Sequence, residues 1–123
     1  MKVTIKENKI RENRITNEII VDCYDEEEQA MGWYYYLEDK LSFPFTAKCI
    51  MKRPTSPLRS GDIVEVIGMA SEDECQHEMF VNIRWQKSII SVPLSQLVGI
   101  KLRDKTYEAI EDWHYWVKRG YEL

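Results

Sequence analysis

The 123-residue chain has no run of about 18 consecutive apolar residues, so no membrane-spanning helix is expected. Residues Met1 to Lys9 alternate charge with single apolar side chains and lack the apolar stretch of a secretion signal, so export is not expected either. Excess positive charge is missing: 17 Lys and Arg against 21 Asp and Glu leave a net charge of −4. That balance disfavours nucleic acid, whose phosphates need a positive face, and favours cations or basic partners. Cysteine is sparse. Cys23, Cys49 and Cys75 are odd in number and form no CxxC, which reads as reduced thiols in a cytoplasmic protein. Their equal spacing has no matching flanks and marks no repeat. There is no nucleophile elbow, phosphate loop, HExxH or EF-hand loop, so no enzymatic activity is expected. No Pro/Gly/Ser-rich linker divides the chain, so a second domain is not expected.

What is present is enough for one core: 44% hydrophobic and 31% charged residues are the proportions of a globular domain. Residues 1–13 read as a loosely ordered lead-in, extended over Val3 to Ile5, and residues 14–123 as one domain. Ile15, Ile19 and Ile20 have helical spacing, predicting a short helix over Thr16–Asp22. The stretch Asp25–Leu41 predicts a longer one. Asp25 is its N-cap with Glu28 as capping-box partner, and acids fill the first turn, where the helix dipole favours them. Ala30, Trp33, Tyr34, Leu37 and Leu41 share one face, with Tyr35 and Asp39 opposite. Phe43-Pro44 stops the helix.

Beyond Phe45 the period changes. Strands are expected over Thr46–Lys52, Asp62–Met69, Met79–Trp85, Ser88–Val92 and Leu97–Leu102, with a 3₁₀ turn over Pro93–Gln96. Ala47, Cys49 and Met51 share one face of the first, and Met79, Val81, Ile83 and Trp85 one face of the third. This order predicts an α+β domain. Helices within 16–41 precede an SH3-like small barrel of about five antiparallel strands over 45–102, and a C-terminal helix over 106–119 packs against it. Asp104 or Thr106 is expected to cap that last helix, and Gly120 to follow it. Its expected buried face is Tyr107, Ile110, Trp113, His114 and Val117. Tyr35, Tyr36, Tyr115 and Trp116 then point away or to the flanks, which leaves open a second reading: an interaction module with an exposed aromatic patch.

Carboxylates cluster at Asp22/Asp25–Glu28, at Glu38/Asp39, at Asp62 and at Glu72–Glu74/Glu78. Grouped carboxylates repel one another, and a hard divalent cation that takes six to eight oxygens relieves this. Each cluster alone reads more often as a solvated face or a cap. Cys75 and His77 are spaced as two soft-metal ligands but lack a second pair. His114, on an apolar helix face, reads as a buried histidine satisfied by one hydrogen bond.

At these residues the chain resembles a known family. DEEEQAMGWYYYLEDKL at 25–41, FPF at 43–45, SPL at 56–58, GDIVEVIGMA at 61–70, EDEC at 72–75, EMFV at 78–81, VPLSQL at 92–97 and EAIEDWHYWVKRGY at 108–121 are similar to the cyanobacterial calcium-binding protein family typified by CcbP. The resemblance implies cytoplasmic calcium binding or buffering in calcium signalling, without catalysis. Under it the candidate ligands for Ca²⁺ are Glu38 and Asp39 at the helix end, and Asp62, Glu72, Asp73 and Glu74 around the sheet. Asp39 ranks first because it points off the buried face and has no capping role. A monomer or weak oligomer is expected.

Overall fold

The computed structural model describes residues 6–123; the extended piece expected at Val3 to Ile5 lies outside them. The chain forms helix α1 (Lys9–Arg14), a π-helical turn (Ile15–Ile19), helix α2 (Glu26–Lys40), strands β1 (Phe45–Cys49) and β2 (Ile63–Met69), a 3₁₀ turn (Glu72–Cys75), strands β3 (Phe80–Trp85) and β4 (Ser88–Pro93), a 3₁₀ turn (Leu94–Gln96), strand β5 (Leu97–Gly99) and helix α3 (Asp104–Lys118). The α+β class and the five antiparallel strands are as expected. The order β4-β3-β2-β1-β5 is that of an open sheet. Among the described residues no ladder joins β4 to β5, so the expected barrel is not closed by hydrogen bonds. Leu94–Gln96 carries the chain from one sheet edge to the other, and β5 is only three residues long.

Alternation positions each strand. Phe45, Ala47 and Cys49 turn inward from β1 while Thr46 and Lys48 face solvent. Met51, expected on the same face, lies past the strand end and is exposed. Val64 and Val66 of β2 and Val81 and Ile83 of β3 complete the inner face, with Met79 just ahead of β3. α2 and α3 cover it. Trp33 meets Trp113 edge-on at 5.1 Å and Trp116 at 5.5 Å, an aromatic contact between the two long helices.

The N-terminal segment corrects the sequence reading. Helix begins at Lys9, not Thr16, so residues 9–13 are not a loose lead-in. Asn8 caps α1, its side chain accepting from Arg11 N at 3.1 Å. α1 buries no side chain, and its Ile10 is exposed, so apolar burial does not hold it in place. It is held by charge. Arg11 and Arg14 both donate to the fully buried Asp112 of α3, at 2.6 and 2.8 Å. Tyr36 of α2 donates to the same carboxylate at 3.0 Å. No periodicity marks a pairing across about a hundred residues.

α1 also explains a second correction. Tyr115 and Trp116 were expected on the flanks, yet both are buried and Tyr36 is half-buried. The Tyr115 hydroxyl accepts from Asn8 N at 2.9 Å and donates to Glu12 at 2.8 Å, so α1 covers the side of α3 that would otherwise face water. Tyr107, expected inside, is 55% exposed; Thr106 is buried instead. Thr106 does not cap α3. Its hydroxyl accepts from Ser42 N at 2.9 Å, at the end of α2, and the N-cap position of α3 is Arg103. Gly120 follows α3 with φ +90°, as expected of a residue after a helix.

Candidate metal centre

α2 forms as its sequence dictates. Asp25 accepts from Glu28 N at 2.8 Å, and Ala30, Trp33, Tyr34, Leu37 and Leu41 are all buried. Gly32 lets the π-helical turn approach: a Cβ there would lie 2.5 Å from the Ile19 carbonyl oxygen. With one face fixed, Tyr35, Glu38 and Asp39 project outward from the last two turns, three and four residues apart, on neighbouring positions of one flank.

The loop after β2 comes to meet them. Tyr34 donates to the Ala70 carbonyl at 2.8 Å, tying α2 to the start of that loop. Tyr35 donates to the Glu72 carboxylate. Desolvation raises the Tyr34 phenol above its ordinary value, with the charges of Glu38 and Glu72 adding to it. The hydrogen bond to Glu72 raises that of Tyr35, and the charges of Glu72 and Glu38 add to that. Two carboxylates from separate elements thus act on one pair of phenols, creating a negative field at the junction.

The six candidates occupy distinct positions. Glu72 accepts from Tyr35, and Glu38 is exposed at the end of α2, its charge raising the Tyr34 and Tyr35 phenols. Asp39 is exposed, lies 3.6 Å from Lys40 Nζ, and lines a groove of about 400 Å³ with Glu18, Ile19, Gly32, Tyr35 and Tyr36. Asp73 is exposed on the 3₁₀ turn. Glu74 closes a capping box with Ser71 and accepts from Ser91 Oγ at 3.1 Å. Asp62 stands apart at the other end of β2, accepting from Arg59 N at 2.8 Å. The intervening seven-residue strand spans about 20 Å, too far for Asp62 to share an ion with Glu72. Glu78 is engaged by Arg53 through two bonds of 2.9 and 2.8 Å.

Every candidate donor is a carboxylate oxygen, the hard donor class that suits Ca²⁺. Among the described residues no three His, Cys, Asp or Glu side chains are already arranged around one point. An ion at the junction would therefore draw exposed side chains together and keep water in its shell. The soft-ligand alternative fares differently: Cys75 is buried and its thiol is pushed up to about 11 by desolvation, while His77 is exposed. His114 is buried, its Nε2–H donating to the Leu97 carbonyl at 2.6 Å.

Sequence reasoning did not single out two residues that stand beside the candidates, Tyr35 and Glu18. Tyr35 was readable, since it precedes Glu38 and Asp39 by three and four residues on one helix. Glu18 was not, because only the docking of the π-helical turn against Gly32 brings it beside Asp39.

No helix among the described residues is long and apolar enough to cross a membrane. No curated protein sequence matches the chain. A family model described as calcium binding matches residues 13–117. The crystal structure of Anabaena CcbP is similar at 44% identity and a TM-score of 0.86, over 97% of this chain and 98% of that one. A structure of a calcium binding protein in the calcium-binding form is similar at 44% identity and a TM-score of 0.85, over 94% of this chain and 95% of that one. The chain belongs to the CcbP family of calcium-binding proteins.

Proposed function

We propose that this protein binds Ca²⁺ through carboxylates at the junction of α2 and the loop after β2, acting as a cytoplasmic calcium buffer or signalling protein without catalysis. The reading rests on Tyr35 of α2 donating to Glu72 of the loop after β2, a bond that joins that loop to the helix end carrying Glu38 and Asp39. A divalent cation draws such carboxylates together, and Glu38, Asp39, Glu72, Asp73 and Glu74 are the oxygen donors on these two elements. Asp62, at the far end of β2, is a separate weak site. With exposed ligands and no preformed cage, the affinity is on the order of micromolar or weaker. The 44% identity to a protein in its calcium-binding form supports the choice of ion. In outline the sheet follows an SH3-like course, with the 3₁₀ turn Leu94–Gln96 before a short last strand.

Calorimetric titration with Ca²⁺, with Mg²⁺ as control, tests this. Binding that weakens in Glu38→Gln and in Glu72→Gln supports the junction. No heat and no rise in melting temperature at millimolar Ca²⁺ sinks it. The rival aromatic-patch reading loses support, since of Tyr35, Tyr36, Tyr115 and Trp116 only Tyr35 is exposed.

A further inference from the structure

β4 is an edge strand, and its pairing with β3 dictates which of its backbone groups face outward. Leu94 N donates to the Met79 carbonyl at 2.9 Å, and the register runs without a shift from Trp85↔Ser88 to Phe80↔Pro93. In an antiparallel ladder alternate residues exchange both bonds. Ser88, Ile90 and Val92 therefore bond to β3, and Ile89 and Ser91 turn their N–H and C=O groups outward. Among the described residues no strand covers that edge. The usual protections of an edge are thin here: no residue from Ser88 to Pro93 is charged, the β3–β4 ladder has no bulge, and Ile89 is 57% exposed. Only Pro93, at the strand end, blunts it.

We infer that β4 is a docking edge for a second copy of this chain, paired antiparallel about a two-fold axis. Placing Ile90 opposite Ile90 of the second copy sets Ile89 opposite Ser91, so the outward-facing residues of both copies meet as hydrogen-bonded pairs, giving about four backbone bonds. The same register sets Lys87 opposite Pro93 of the second copy. Ser91 Oγ donates to Glu74 at 3.1 Å, so the Glu74 carboxylate stands at this edge. Ser91 and Pro93 are about 7 Å apart along the strand, within the reach of a lysine stem. The exposed Lys87 of each copy thus meets the exposed Glu74 of the other. An extended segment from another protein finds the same edge but not this reciprocal exchange of charge, and that favours a second copy.

Sedimentation equilibrium of the full chain with a chelator present, from about 10 μM to about 1 mM, tests the inference independently of metal. The average mass is expected to rise from 14.7 kDa toward twice that value. The Ile89 and Ser91 amides gain hydrogen-exchange protection over the same range. Ile89→Lys weakens association at least about tenfold by placing two like charges at the joined edges. Lys87→Glu weakens it about fivefold, and adding Glu74→Lys restores it. Both changes are at exposed positions, and circular dichroism checks that each variant is folded. If a variant unfolds, the exchange protection of the unaltered chain decides. A monomer at the highest concentration, association unaffected by Ile89→Lys, or dimerisation without protection at Ile89 and Ser91 overturns the inference.

Discussion

Arg14 grips Asp112 with both arms of its guanidinium, Nε to Oδ2 and Nη2 to Oδ1, each at 2.8 Å, across 98 positions of sequence. Arg11 adds a bond of 2.6 Å and Tyr36 one of 3.0 Å. The carboxylate is fully buried and its oxygens are well supplied with donors, so the pair locks α1 onto α3. Asp112→Ala takes from Arg11 and Arg14 their buried counter-charge and leaves only Glu108, 3.7 Å from Arg14 Nε, in its place. It is expected to cost about 3–5 kcal/mol, read as a lowered urea midpoint. Arg11→Ala, with Arg14 still in place, costs less.

Gly32→Ala tests the contact between the π-helical turn and α2. Alanine is the better helix former by about 1 kcal/mol, so an unobstructed helix would be stabilised. Here the added methyl meets the Ile19 carbonyl oxygen at 2.5 Å and Cys23 Sγ at 3.2 Å. The carbonyl is backbone and moves only with its turn. A net loss of about 1–3 kcal/mol in urea unfolding is expected.

Tyr35 reports on the proposed metal site. Its phenol is held above the ordinary tyrosine range chiefly by its hydrogen bond to Glu72, with the charges of Glu72 and Glu38 adding to this. Ca²⁺ at those carboxylates neutralises them and competes for the bond, so phenolate becomes easier to form. Alkaline absorbance titration at 295 nm is expected to show one tyrosine moving to lower pH when Ca²⁺ is present. Tyr35→Phe removes that moving component.

His114 makes stability depend on acid. Burial lowers its pKa below the ordinary histidine value, only partly offset by the bond to Leu97. The folded state therefore holds fewer protons on this group than the unfolded chain. The associated stability is fully present above the unfolded value and is lost as pH falls below it, toward and through the folded value. His114→Gln is expected to flatten the melting temperature against pH just below 6.5, while lowering it overall.

The helix over 26–40 was legible because every signal for it is local. The cap, the acidic first turn and the buried stripe all lie within 17 residues, and all are seen. The strands were legible from alternation, to within a few residues at each end. α3 was legible as a helix, but its inward face was misread at Tyr107 and Tyr115. A single amphipathic stripe assumes one apolar neighbour, whereas α3 is packed by the sheet side and also by α1.

For the proposed metal site, composition and the family resemblance pointed to carboxylates at the end of α2 and after β2. Which of them meet was decided by Tyr34 on Ala70 and Tyr35 on Glu72, contacts spanning 36 and 37 positions. The separation of Asp62 was legible, because the strand expected over Asp62–Met69 already puts its length between Asp62 and Glu72.

By itself, then, the sequence determined the two longer helices, the five strands and the family, since each rests on neighbouring residues or on motifs read directly. Tertiary structure alone decided that residues 9–14 are a docked helix, that the sheet stays open between β4 and β5, and that Tyr35 of α2 meets Glu72 of the loop after β2. The physical reason is common to all three. Each depends on a contact between segments far apart in the chain, and neither periodicity nor composition encodes a partner at that distance.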